Sequence, residues 1–378
     1  MRDVFIVSAV RSATGRREGV YKDTHPVHLA APVLAEAVRR AGIEPVLIED
    51  VILGCVSPIG EQGGNIGRIA AIHAGLPVTV PGVQINRMCG SSQQAVHFAA
   101  QAILAGDMDV ALAGGVEHMT RVPIGSDWPK EGIPEWPARW IHQGVSAEMV
   151  AERWGLTRDA LDDFAFRSHL KAADAIRAGH FEREILPLTV RLDGQEVTAK
   201  VDEGVRMNPD REKMRTLKPV FKEDGVITAG NSSQISDGAA ALVLASEEAV
   251  RRHGLTPRAR IVARVVAADD PEIMLTAPIP ATRRVLAKAG LTLADIGLIE
   301  INEAFASVVL AWAHDIEPDM ERVNVSGGAI ANGHPLGATG AKLMTTLVHA
   351  MERCGVRYGL QTMCIGHGQA TATILERV

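Results

Sequence analysis

A chain of 378 residues, 47% of them hydrophobic, is long enough for one large core or two packed domains. A net charge of −6 without a Lys/Arg cluster argues against a nucleic-acid surface, and no apolar run reaches the ~18–20 residues of a membrane span. Four cysteines, none spaced as CxxC, make neither a disulfide framework nor a zinc centre and fit a reduced, cytoplasmic compartment.

In chain order, MRDVFIVSAVRSATGR predicts a first strand and a turn. Residues 28–42 carry the apolar spacing of an amphipathic helix closed by Gly42. Residues 48–56 predict a short buried strand, 91–107 a helix, and 109–116 another buried strand. This alternation argues for an α/β layer structure. Residues 116–230 break it. Trp128, Trp136, Trp140 and Trp154 fall there with Pro123, Pro129, Pro134 and Pro137. The segment predicts an irregular excursion, then helices near 146–178 and a charged stretch near 182–224, as in a lid or inserted subdomain. Regular alternation resumes at 238–254. The two flanking parts share a plan: Cys89-Gly90 and His334-Pro-Leu-Gly each precede a helix and an apolar strand, as a duplicated fold would give.

Four stretches carry chemistry. Cys89, in NRMCGSS, sits where a helix begins. There, unpaired backbone N–H groups would lower a thiol pKa, so the residue reads as a nucleophile or as a buried structural cysteine. VNVSGGAIANGHPLGATGAK, residues 323–342, fails as a phosphate loop because Lys342 follows Ala341 rather than Gly. What remains is His334 in a glycine-rich turn that can face a cleft. Cys364, in MCIGHG, ends an apolar strand beside glycines and is either an acid/base thiol or a core cysteine. Asn302 and Glu303 stand at a strand-to-helix junction, where an Asn caps a turn, orients a water or donates to an oxyanion.

Together NRMCGSS, LKPVFKEDGVITAGNSSQISDGAAALVLAS, EINEAFA, VNVSGGAIANGHPLGATGA and CIGHG resemble the thiolase family over nearly the whole chain. The resemblance implies an α/β fold, duplicated and layered α-β-α-β-α with an inserted loop domain. Residues 1–115 with 231–250 would form the N-terminal half, 116–230 a loop domain over coenzyme A, and 251–378 the C-terminal half. It implies an acyltransferase that exchanges acyl groups between CoA thioesters, with coenzyme A as substrate and no permanently bound cofactor or metal. By that resemblance Cys89 is the acyl acceptor, His334 takes its proton, and Cys364 handles the α-proton of acetyl-CoA. Asn302 holds a water for the enolate oxygen. The N–H groups of Cys89 and Gly366 serve the tetrahedral intermediate. Ser233, Ala229, Arg206 and His142 are matched to CoA contacts, and the assembly to a homodimer or homotetramer.

The chain departs from the family pattern at His367, where Gly is usual, at Asn332, where Leu or Gly is usual, and at HQG (142–144), where HMG is commoner. These positions border the acyl pocket. The segments around residue 55 and Cys89 resemble degradative members more than biosynthetic ones. A ketoacyl-synthase-like condensing enzyme is the alternative, disfavoured by Cys364; a non-catalytic acyl-CoA-binding protein is the other.

Overall fold

The computed structural model describes residues 2–129, 133–136, 138–139 and 141–378. Pro137 and Trp140, two markers of the irregular excursion, lie outside the described residues. The first part of the chain runs β1 (Val4–Ser12), α1 (Pro26–Ala41), β2 (Asp50–Gly54), α2 (Ile66–His73), β3 (Gly82–Ile85), α3 (Ser91–Ala105) and β4 (Val110–His118). Next come α4 (Gln143–Arg153), α5 (Arg158–Arg177) and β5 (Ser236–Ser246). The remainder runs β6 (Ala259–Ala268), α6 (Pro278–Ala289), β7 (Leu298–Ile301), α7 (Ala306–Ile316), α8 (Thr339–Cys354), β8 (Tyr358–Ile365) and β9 (Gln369–Arg377). The predicted helix at 28–42 begins at Pro26, whose missing N–H is no loss in a first turn, and stops at Gly42 with φ 69°.

The duplication is explicit in the strand pairing. In the first half β1 pairs β5 and β5 pairs β4, both antiparallel, while β4 pairs β2 in parallel. In the second half β6 pairs β9 and β9 pairs β8, both antiparallel, while β8 pairs β7 in parallel. The halves join where β1 lies antiparallel to β6, with Phe5 opposite Arg260 and Ile6 opposite Ala259. β3 adds a further parallel strand at the edge, beside β2.

Side-chain direction along β1 shows how the layers arise. Val4, Ile6 and Ala9 face the central core, whereas Val7 and Val10 face the outer one. The alternation skips once because the register shifts between Ile6 and Ser8. The central core holds α3 (Ala95, Val96, Ala99, Ile103) and α8 (Met344, Leu347, Val348), shared by both halves. Alanines on α3 let it approach that closely. α1 covers one outer face with Val33, Leu34 and Ala37. α6 and α7 cover the other with Val285, Val309 and Trp312. The result is the α-β-α-β-α stack. Among the described residues no helix is long and apolar enough to cross a membrane.

The excursion carries α4, α5 and a hairpin of Leu188–Leu192 with Gln195–Ala199. Buried charge ties it down. Arg11 of β1 donates to Glu184 at 2.7 Å and to Asp202 at 2.8 Å, and the Thr346 hydroxyl of α8 donates to Glu184 at 2.9 Å. Glu300 of β7 lies close enough to feel Glu184 and Lys342; its Oε2 is buried without a partner among the described residues.

Burial first, then the charges of Glu303 and Glu184, push the Glu300 pKa up to about 8. A carboxyl raised in the native state contributes stability that is complete below its unfolded pKa of about 4.3 and is lost as pH rises through the native value. The slope is at most ~1.4 kcal/mol per pH unit. Glu300→Gln should therefore melt ever higher above wild type as pH goes from about 5 to about 8. Thermal melts at each pH that stay parallel for the two proteins would contradict this.

Candidate active site

β3 ends at Ile85, and the chain must turn sharply before α3. Asn86 holds that turn. Its Oδ1 accepts from the Met88 N–H at 2.7 Å and its amide donates to the Val56 carbonyl at 2.8 Å. The Ser91 hydroxyl donates to the Met88 carbonyl at 2.6 Å and accepts from the Arg87 N–H at 3.0 Å. Met88 consequently sits at φ 43°, a conformation few side chains adopt. Cys89 follows, two residues before the first residue of α3, and is 4% exposed. A Cβ on Gly90 would overlap Ile365, so only glycine lets the end of β8 pack against this turn. That contact brings the strand of Cys364 to the turn that holds Cys89.

His334 enters from the second half, between Gly333 and α8. Its Nδ1 lies 2.6 Å from the Thr339 hydroxyl, which donates to the Pro335 carbonyl at 2.8 Å. The single hydroxyl proton is thus committed, so Nδ1 carries the imidazole proton and donates to Thr339. Nε2 keeps its lone pair. It faces the Asn302 amide nitrogen at 3.4 Å. The Asn302 Oδ1 is buried with no partner among the described residues, which suits it to hold a water or a substrate donor. The Asn302 N–H donates to the Thr362 carbonyl at 3.1 Å, fastening this loop to β8. Glu303 is fully used: it accepts from the Ser168 hydroxyl, the Asn324 amide and the Ile330 N–H.

The electrostatics overturn one expectation from the sequence. A helix start should lower the Cys89 pKa, yet burial pushes it up to about 12, and the opposing N–H groups of Cys89 and Gly366 do not compensate. Desolvation outweighs a partial charge of helix-end size when water is excluded from the thiolate. Burial, then the charge of Cys89, raises Cys364 as well. Burial, then Lys342, holds His334 down to about 3. The resting pair is therefore a neutral thiol and a neutral imidazole. Cys364 feels the charge of Cys89, and the N–H of Gly366 points at the Cys89 sulfur, so the two thiols share one site.

Thus Cys89, Cys364 and Gly366 come together, and Asn302 and His334 form a second pair. Leu336, two residues after His334, packs in the apolar cluster of Cys89, and the Asn302 N–H is tied to the strand of Cys364. Ser233 is half-buried and its N–H donates to the Ala304 carbonyl at 2.9 Å. Ala229 and Arg206 are exposed, and the Arg206 N–H donates to His169 Nδ1 at 3.2 Å. His142 is exposed and caps α4, accepting from the Gly144 N–H at 3.0 Å, while its ring stacks on Phe221 at 5.1 Å. Gln143, in the HQG variant, does approach the cluster. Its Nε2 would lie 3.3 Å from a Cβ on Gly366. His367 occupies φ 60° and tilts against Trp136 at 5.8 Å. Burial, then Cys89, acts on Cys364, with its own N–H opposing them. Asn332 donates its amide to the carbonyls of Ser326 and Gly327.

Sequence reasoning missed Thr339, Ser236 and Glu117. Ser236 accepts the His334 N–H at 3.1 Å. Glu117, at the end of β4, accepts from the N–H groups of Val56, Ser57 and Gly337 and from the Gln62 amide. Only Thr339, five residues after His334 and at the first residue of α8, left a local signal.

Family models agree with this geometry. The thiolase N-terminal domain matches residues 4–248 and the thiolase C-terminal domain residues 255–377. The chain is 48% identical to a steroid 3-ketoacyl-CoA thiolase, FadA6, of Mycobacterium tuberculosis, over 100% of this chain and 95% of that one. It is 45% identical to a 3-ketoacyl-CoA thiolase of Cronobacter sakazakii, over 100% of both. The crystal structure of the Bacillus anthracis acetyl-CoA acetyltransferase superposes with a TM-score of 0.94 at 41% identity, covering 100% of this chain and 99% of that one. Matched by both family models along nearly its whole length and by relatives over 40% identical from end to end, the chain belongs to the thiolase family and is an acyltransferase acting on coenzyme A thioesters.

Proposed function

We propose that the enzyme cleaves 3-ketoacyl-CoA with free CoA, giving acetyl-CoA and a shortened acyl-CoA through an acyl group carried on Cys89. The observation that supports the reading is the pair of buried thiols, Cys89 and Cys364, close enough for the charge of one to act on the other, with the His334–Asn302 pair on loops packed against the same region. The Cys89 proton passes to His334 Nε2 as the sulfur attacks the keto carbon. The C2–C3 bond then breaks, its electron pair leaves as the acetyl-CoA enolate, and the Cys364 thiol protonates C2. The CoA thiol next gives its proton to the Cys364 thiolate and attacks the acyl-Cys89. The departing Cys89 sulfur recovers its proton from His334, which closes the cycle. Run backwards, these steps are the Claisen condensation.

Negative charge develops on oxygen in both halves of this cycle. The N–H groups of Cys89 and Gly366 suit the tetrahedral intermediate. Protonated His334 and a water on the unpaired Asn302 Oδ1 suit the enolate. Each such donor is worth roughly 3–4 kcal/mol of barrier.

The remaining assignments follow as parts of the same proposal. Residues 116–230 cover the pantetheine arm, with Ser233, Ala229, Arg206 and His142 along its path. The exposed apolar residues Ile69, Ile72, Val83 and Phe98 with Val78, 77% exposed, support a homodimer or homotetramer. They cluster on α2, α3 and the edge strand β3, where an unpaired strand invites a second copy. Four free cysteines support a cytoplasmic enzyme. The relatives' 3-ketoacyl names support the degradative direction.

The test is a panel of 3-ketoacyl-CoA substrates run with CoA. Cleavage should depend on CoA, and quenching before CoA is added should leave the acyl mass on the Cys89 peptide. Condensation activity with no thiolysis of any substrate would favour the ketoacyl-synthase alternative.

A further inference from the structure

Lys342 was set aside as a phosphate-loop lysine, yet it is buried, at 5% exposure, directly behind the catalytic turn. Its Nζ donates to two successive carbonyls, Asn332 at 3.0 Å and Gly333 at 2.9 Å. Two neighbouring carbonyls converge on one cation only where the backbone departs from ordinary geometry. Gly333 supplies this with φ 82° and ψ 162°, and a Cβ there would crowd Ser236 and Thr14. The next peptide group is then gripped from both sides: its C=O, from Gly333, meets Lys342, and its N–H, from His334, donates to Ser236. Thr339, three residues before Lys342 on α8, accepts from the His334 ring. One turn of one helix therefore holds the histidine at its ring and at its backbone.

We propose that Lys342 is a positioning residue for His334: its ammonium fixes the Asn332–Gly333 turn through their carbonyls and so aims the imidazole that receives the Cys89 proton. The groups facing Lys342 are Asp202 and Glu184 of the excursion, Glu300 of β7 and Arg11 of β1. Their mixed charge leaves burial as the largest influence on the lysine, which is brought down to about 8. The inference rests on His334 acting in the thiol chemistry proposed above, so His334→Ala is the control.

Lys342→Met should lower kcat for thiolysis at least ~10-fold while leaving the KM for CoA within ~3-fold. Its acid limb in kcat should move up by roughly one pH unit, because the cation that opposes imidazolium is gone. Lys342→Arg should restore kcat to within ~3-fold, since Arg keeps the charge and the donors. It should also carry the alkaline limb upward by about one unit or more, because Arg does not titrate there. Should Lys342→Met fail to fold, the alkaline limb of Lys342→Arg against wild type decides alone. Unchanged kcat and an unshifted acid limb in Lys342→Met, or an unshifted alkaline limb in Lys342→Arg, would overturn the inference. If His334→Ala itself stays active, the fault lies with the proposed chemistry rather than with Lys342.

Discussion

Cys89→Ala is expected to lose thiolysis by at least ~10⁴-fold in kcat, with no acyl mass on the enzyme. The loss should be this large because the thiol is a reactant and not an accessory. Without it the acyl group has no carrier, and direct attack by CoA must pass through one harder step instead of two easier ones. Cys89→Ser should fare little better. A hydroxyl is harder to deprotonate than a thiol, and the site already disfavours charge at this position. Both proteins should keep the wild-type fold, since removing one small buried side chain costs about 1–2 kcal/mol. Steady-state thiolysis and a thermal melt on the same preparation check the prediction. Residual kcat above about 1% of wild type, in protein free of contaminating enzyme, would remove Cys89 from the role of acyl carrier.

The same burial sets how the thiol wakes. With Cys89 pushed up to about 12 and His334 held down to about 3, no thiolate–imidazolium pair is stored in the resting site. In the proposed cycle the charge pair forms only as the sulfur attacks, when negative charge moves onto the substrate oxygen under two N–H donors. An enzyme built this way guards its nucleophile from stray electrophiles at the cost of intrinsic thiol reactivity.

Much of the layer order was legible in the sequence because apolar periodicity reports burial directly. The helix read at 28–42, the buried strand read at 109–116 and the repeated plan around Cys89 and His334 followed from spacing and from glycine stops, and the helix and strand stand at Pro26–Ala41 and Val110–His118. The joining of the halves through Phe5 and Ile6 was not legible, because pairing between β1 and β6 spans about two-thirds of the chain. Cys89, Asn302, His334 and Cys364 stand out in the sequence because each lies in a short, unusual local context. Their ionisation does not. A sequence shows that a thiol precedes a helix, but not that Val56, Met119, Leu336, Met363 and Ile365 close around it. Lys342 illustrates the same limit. Its spacing excluded a phosphate loop and gave it no other role, and only the fold reveals that its ammonium faces backbone carbonyls.

Glu117→Ala is expected to cost roughly 3–5 kcal/mol of stability, the range for removing one partner of a buried charged network. Its carboxylate accepts from the N–H groups of Val56 and Gly337 at 2.8 Å each, from Ser57 at 3.2 Å and from the Gln62 amide at 2.9 Å. Alanine would leave the three backbone N–H groups without these partners, while the Gln62 amide would keep only its bond to the Ser57 carbonyl. No rearrangement can rescue them, because Gly337 already packs against Cys55 and Val116 as well as the carboxylate. With about 2 cal/mol/K of unfolding entropy per residue, the loss corresponds to a melting point lower by about 5 °C. Activity should fall further than stability alone predicts. Gly337 lies three residues after His334, so the donor that loses its partner belongs to the loop that aims the imidazole. Glu117→Gln separates the two effects: it keeps the shape and one acceptor but turns an NH₂ donor toward N–H donors. It should melt between wild type and alanine while losing kcat without a matching rise in KM. A Glu117→Ala protein melting within about 1 °C of wild type would mean that water enters to satisfy the four donors, and that the hub holds the loop far less firmly than its hydrogen bonds imply.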